Sequence, residues 1–333
     1  MSLFLSLGAG TILSGVGVAD ALMQPAKTYL QIVGGFCILN ALIPICSSYL
    51  RAFGFSKEPL YASIIGNVIN FCLNAFFLFV LHKGVAGVAT ATVISRIINL
   101  VIVVLLGAVL VKAKQHPERE SNRAVMGQII RIGLPSACET AIYNVSMTLV
   151  IRFLNQMDAQ GLNVTARSYT MQITNFSYCV GAALAQANAI MTGWHIGAKE
   201  YDACDRGTKK AAVIGVIVAV ILETVFTLCS GWIMQLFSKD PQMVSLVGKL
   251  LAIDIVLEIG RVTNLVYGQA LKTSGDAVFP VVMGACFMIL CSVGGTYLFG
   301  IRLGLLAVGA YIGMTGDECV RAVGMYLRWK SGK

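Results

Sequence analysis

Apolar residues run in long stretches along this chain, interrupted at short intervals by polar gaps that carry glycine, proline and charge. Ten stretches can be drawn, at about 3–22, 28–50, 60–81, 85–111, 129–154, 168–194, 211–237, 246–271, 278–299 and 304–327. Each approaches or exceeds the roughly 20 residues that a helix needs to cross about 30 Å of hydrocarbon. A membrane strand needs only about 9 to 11, so the lengths predict helices throughout. Backbone amides inside lipid find no water to bond, and a helix satisfies them within its own segment. The pattern predicts an all-α, polytopic helical membrane protein.

The pattern also repeats. The stretch Leu30 to Pro59 recurs at a constant offset of 221, with Leu30/Leu251, Ile32/Ile253, Ile38/Ile259, Leu50/Leu271, Gly54/Gly275 and Pro59/Pro280 identical and Arg51/Lys272 alike in charge. In apolar chains such repeats mark transporters built from two related halves, with the substrate site where the halves meet. Four helices precede the longest polar linker and six follow it. The expected organisation is an incomplete N-terminal bundle at 1–112, a cytoplasmic linker at 113–126 and a C-terminal bundle at 127–333. At the offset of 221 the partners of residues 127–221 would lie upstream of Met1, so the full plan is expected to be six plus six, with the first two helices missing here.

Composition sharpens this picture. The chain is 57% hydrophobic and 12% charged, against roughly 25% charged for soluble domains. Its net charge of +9 does not point to nucleic acid, because the basic residues sit in the gaps between apolar runs. Alternate gaps hold fifteen Lys and Arg on one side, Lys272 among them, and six on the other, Arg167 among them. That bias places both termini and the linker in the cytoplasm. Most of the ten cysteines lie in apolar runs without a CxxC, and read as small buried hydrophobes. No Ser/His/Asp set, HExxH or P-loop is present, which argues against an enzyme. The sequon Asn163-Val164-Thr165 would fall in an outer loop, a pattern that is common by chance.

Several local patterns resemble the multidrug and toxic compound extrusion (MATE) family. They are Leu50-Arg51-Ala52-Phe53-Gly54, Gly66-Asn67-Val68-Ile69-Asn70 with Asn74, the run from Gly84 to Arg96, Gly133-Leu134-Pro135-Ser136, Gln186-Ala187-Asn188, and Leu257-Glu258-Ile259-Gly260-Arg261. Their order and spacing cover nearly the whole chain from Tyr29 onward. The resemblance implies a bacterial inner-membrane antiporter of two six-helix lobes. Such a protein exports cationic or amphipathic organic compounds in exchange for Na⁺ or H⁺, without a further cofactor. It also implies contact with membrane lipid and a monomeric state. A truncated, non-transporting membrane protein and a lipid-linked saccharide flippase are the alternatives. A flippase would be expected to show more cavity-facing cations than Arg96 and Arg261.

An ionisable residue inside a membrane is a functional candidate because its charge is costly there, about 2.5 to 3.5 kcal/mol even on the lenient scale. Glu139 and Glu258 are expected at similar depth near the midplane, with Asp254 one turn from Glu258. Burial favours the protonated carboxyl and a bound cation favours the ionised one, so proton and cation compete for one group. Arg261, three residues from Glu258, could instead pair with it structurally. Asn70 and Asn74, with Thr92 on a neighbouring span, offer neutral oxygens to an ion or a drug, or bond between helices. The family often bears an aspartate where this chain has Asn74. Asn144 and Asn188 are further amides of this kind. Glu223 could couple or pair, and Asp317, Glu318 and Arg321 read as a structural patch.

Overall fold

The computed structural model describes residues 2, 6, 8–16, 20–112, 122–157 and 161–332. Two compact units divide at residues 119 and 120. Among the described residues there is no strand. Most of the expected linker lies outside the described residues, and its described end is already helical.

The first unit contains α1 (Ala9–Val16), α2 (Asp20–Gly35), α3 (Leu39–Ala52), α4 (Lys57–Ala75, continued by a wider π-type turn Phe76–Val80) and α5 (Gly84–Lys112). Its core is small, with Leu50, Ala62, Val103 and Val111 in contact. Large apolar side chains such as Phe71 and Phe79 face outward, as they do on lipid-facing helices.

The second unit contains α6 (Asn122–Met157), α7 (Leu162–Gly197), α8 (Tyr201–Leu228), the short α9 (Ser230–Met234), α10 (Pro241–Thr273), α11 (Val278–Phe287, continued by π-type turns Met288–Val293 and Thr296–Arg302) and α12 (Leu306–Lys330). Helix α10 packs against α7, α8 and α12 and is the axis of the unit. Its start follows from local chemistry: the Asp240 carboxylate accepts a hydrogen bond from Gln242 N at 3.0 Å, and Pro241 occupies the first turn, where no amide partner is needed. Two apolar clusters grip it, one ending at Leu257 and one beginning at Val262. The polar residues Glu258 and Arg261 fall in the gap between them, next to Gly260. A methyl group on Gly260 would stand 2.8 Å from the Glu318 backbone carbon, so only glycine allows α10 and α12 to approach this closely.

The repeat is visible in backbone detail. Phe55 N donates to Leu50 O at 3.0 Å, and Asp276 N donates to Leu271 O at 2.9 Å. The glycines that close these two helix ends have φ of +89° and +96°, a region that glycine enters without steric cost. The correspondence continues beyond the stretch seen in the sequence, at an offset of 222. Lys83 N donates to Phe77 O and Leu305 N to Phe299 O, while Gly87 N donates to Lys83 O and Gly309 N to Leu305 O, both at 3.3 Å. His82 and Gly84, with φ of +50° and +51°, match Gly304 and Leu306 at +69° and +53°. One residue has been inserted between the two registers.

Several helices start earlier than the apolar stretches suggested. Helix α7 begins at Leu162 rather than near 168, and α8 at Tyr201 rather than near 211. Arg167, placed in an outer gap by sequence, is therefore inside α7 and 5% exposed. Lys272 likewise lies in the last turn of α10. Hydropathy marks where a helix faces lipid, whereas the helix itself needs only its backbone bonds. Asn163 is also buried in the first turn of α7, where its side chain accepts from Ala307 N at 3.1 Å, so the sequon is no surface loop.

Candidate functional site

Five stretches among the described residues are long and apolar enough to cross a membrane: 23–52, 57–80, 84–111, 201–228 and 278–302. The long helices that fail this test are α6, α7, α10 and α12. These four form most of the wall of a cavity of about 530 Å³ inside the second unit, completed by Pro280 and Met288. The failure has a physical cause, since these helices carry polar side chains on the face turned inward to the cavity. The volume suits a drug-sized ligand.

The walls are mixed. Met171, Met288, Met314, Met325 and Leu265 supply apolar surface, Tyr143, Tyr178 and Tyr311 supply aromatic rings, and Asn144, Asn175, Asn264 and Gln269 supply amides. Seven charged residues line the space: Glu139, Arg167, Asp254, Arg261, Lys272, Glu318 and Arg321.

Most of these charges belong to one network. Arg261 Nη1 donates to Glu258 Oε2 at 2.7 Å and stands 3.8 Å from Glu318 Oε1. Arg321 reaches Glu318 at 2.9 Å and binds Asp317 through both Nε and Nη2, at 2.8 and 3.1 Å. Asn264 Nδ2 donates to Glu318 Oε2 at 2.7 Å, and Ser292 donates to Asp317 at 2.9 Å. With Asp254, four carboxylates face two guanidinium groups. Asp254 Oδ2 and Glu258 Oε1 are buried without a hydrogen-bond partner among the described residues. A fifth carboxylate, Glu223 of α8, is fully buried within electrostatic reach of Asp254 and Glu258, and neither of its oxygens has such a partner.

The structure sorts the candidates read from the sequence. Asp254 and Arg261 line the cavity, while Glu258 sits behind Arg261 as its ion-pair partner. Asn144 lines it too, its amide donating to Thr140 O at 2.8 Å. Glu139 also lines it, but pairs with Lys272 at 2.5 Å. Lys272 lies fourteen residues beyond Glu258 on the unbroken α10, about 21 Å along its axis at 1.5 Å per residue. Glu139 and Glu258 therefore do not share a depth. A count along one helix carries no height relative to another helix, and the Glu139–Lys272 contact between α6 and α10 supplies it. Asn70, Asn74 and Thr92 belong to the first unit and bond locally. Asn70 Nδ2 donates to Ser95 Oγ at 3.1 Å, Asn74 Nδ2 to Asn70 Oδ1 at 3.0 Å, and Thr92 Oγ1 to Val88 O at 2.9 Å. Among these atoms only Asn74 Oδ1 is a buried oxygen without a partner.

Sequence reasoning missed Arg167 and Lys272 by assigning them to gaps, and passed over Asn264 and Tyr311. A signal was present for Arg167. It falls in a stripe of buried, mostly small or polar residues on α7, namely Asn163, Ala166, Thr170, Thr174, Ser177, Gly181 and Ala185, recurring at the three- and four-residue spacing of one helix face.

A helical bundle whose polar helices enclose a drug-sized cavity is the architecture of a membrane transporter. Comparison with known proteins gives the family. The chain matches the MatE family over residues 1–76 and 135–298. It is 34% identical to YisQ of Bacillus subtilis, an uncharacterized transporter, over 96% of this chain and 71% of that protein. It is 22% identical to a probable multidrug resistance protein, NorM of Thermotoga maritima, over 100% of this chain and 75% of that protein. A crystal structure of a MATE protein in its straight conformation superposes with a TM-score of 0.87 at 18% identity, covering 99% of this chain and 74% of that one. The chain belongs to the MatE family and is a transporter, not an enzyme.

Proposed function

We propose that the protein exports amphipathic or cationic organic compounds across the bacterial inner membrane by antiport with H⁺ or Na⁺. Both termini would lie in the cytoplasm, and the protein would work as a monomer. The multidrug role named for the NorM relative supports the substrate class, and the cavity's methionine, tyrosine and amide lining suits varied organic bodies. One observation carries the coupling assignment: four carboxylates against two guanidinium groups in one buried network, with oxygens of Asp254 and Glu258 left unbonded. Excess negative charge in a low-dielectric site favours uptake of a proton or a cation. Loading that ion would change the field in the cavity and so the affinity for the exported compound.

Two features argue against the alternatives. A flippase was expected to display many cavity-facing cations. The cavity of the second unit has four, Arg167, Arg261, Lys272 and Arg321, rather than the pair foreseen, but three of them are neutralised by carboxylates. The carboxylate network is assembled wholly from helices of the second unit, so among the described residues this candidate ion site draws on none of the first, which favours transport over the truncated alternative.

Efflux from proteoliposomes carrying the purified chain tests the reading. Ethidium efflux should respond to an imposed pH or Na⁺ gradient. Asp254→Asn and Glu258→Gln should each reduce that response by roughly 10- to 100-fold, the range of ordinary coupling free energies. Glu139→Gln, which breaks a pair outside the hydrogen-bonded carboxylate network, should retain the ion dependence. Efflux indifferent to both gradients, or unchanged in Asp254→Asn, would overturn the coupling assignment.

A further inference from the structure

Arg167 stands apart from the other three cations of the cavity. It is 5% exposed and lines the cavity wall. Among the described residues no carboxylate pairs with it. Its Nη2 reaches only the Met147 sulfur, at 3.5 Å, and its Nε has no partner. A buried guanidinium normally finds an anion, because removing it from water without one costs several kcal/mol. Arg261, Lys272 and Arg321 obey that rule through Glu258, Glu139 and Asp317. Arg167 is the cation in this wall whose counter-charge the described residues do not supply.

We propose that Arg167 is the anchor for an anionic group, a carboxylate or an equivalent oxyanion, on the exported compound. This rests on the transport reading above and deepens it: within the amphipathic class, compounds that carry an anionic group, zwitterions among them, gain this anchor. The surroundings fit. Tyr311, 1% exposed and within electrostatic reach of Arg167, offers a phenol donor, and Thr174 offers a hydroxyl two turns along the same face of α7. Met171 and Met314 give the apolar body of the ligand a wall. A planar guanidinium can hold a carboxylate through two parallel hydrogen bonds, which fixes orientation as well as affinity. In a zwitterion the ammonium group would turn to Asp254, whose Oδ2 is unbonded. One cavity would then satisfy both of its unmatched charges with a single molecule.

The test reads binding rather than transport, so its outcome is independent of whether efflux is found. Dansylglycine and its methyl ester differ only in the anionic group. Titrated against the purified full chain, the acid should bind roughly tenfold or more tightly than the ester, the scale of one desolvated charge-assisted contact. Arg167→Met should abolish that preference, and Arg167→Lys should retain part of it. Arg152→Met, on the outward face of α6, should keep the full ratio. Equal binding of acid and ester by the unaltered chain overturns the proposal without recourse to any variant. So does an unchanged ratio in Arg167→Lys and Arg167→Met. If efflux fails while the acid still binds preferentially, the transport reading falls and the anion site stands.

Discussion

The two copies of the repeated segment share a backbone and differ in chemistry. Both end a helix on a leucine carbonyl accepting from the amide five residues on, with a glycine at φ near +90° between them. Upstream of that turn they diverge. In the first unit Gly34 and Gly35 are followed by a break at 36–38, and the helix resumes at Leu39. In the second unit the equivalent residues are Ile255 and Val256, and α10 runs without interruption from Pro241 to Thr273. A glycine pair loosens a helix, whereas apolar side chains that pack keep it continuous. The positions of Asp254, Glu258 and Arg261 are taken in the first unit by Val33, Cys37 and Asn40. A duplicated frame thus keeps its punctuation, while three substitutions on one copy install a charge network.

Substitutions that attack one copy and spare the other sharpen this comparison. The largest effect is expected at Arg261. Arg261→Met leaves Glu258 buried without its partner and should lower stability by about 3 to 5 kcal/mol, seen as a reduced unfolding temperature in detergent. Adding Glu258→Gln should recover much of that loss, and its failure to do so would show that Arg261 acts through packing instead. Asn40→Ala at the equivalent position of the first unit should have little effect.

The shared turn makes the opposite forecast. Gly54→Ala and Gly275→Ala place a side chain at positive φ where nothing lies within 4 Å. Each should therefore cost only the backbone penalty of about 1 to 2 kcal/mol. Near-equal losses in the two copies would support one inherited turn, and a loss confined to one would break the equivalence. The smallest effect belongs to Asn70. Asn70→Leu removes its bond to Ser95, on average about 0.6 kcal/mol between membrane helices, and the bond from Asn74 within its own helix, a few tenths more, so the cost read from denaturant unfolding should be about 1 kcal/mol. A much larger loss would indicate that the first unit uses its amides for more than helix contact.

Much of the frame was legible in the chain. Run lengths predicted helices, since a lipid-exposed backbone has no other way to satisfy its amides. The offset of 221 located both glycine turns. Asp254 and Arg261 announced themselves as charges inside apolar runs. Other features were hidden for equally physical reasons. Helices that turn a polar face to a cavity lose the hydropathy that betrays a span, so Arg167 looked like loop. Depth counted along single helices put Glu139 level with Glu258, and only the contact with Lys272 brought it to the far end of α10.

By itself, then, the sequence determined the solvent, the secondary structure and the repeat, because each is set by local composition and by spacing along one chain. Tertiary structure decided which charges are matched. Lys272 meets Glu139 across 133 positions and Asn264 meets Glu318 across 54, pairings no local pattern encodes. Among the described residues Arg167 is left unmatched for the same reason. Whether a buried cation has a counter-charge depends on what other helices bring beside it, and only the packed bundle fixes that.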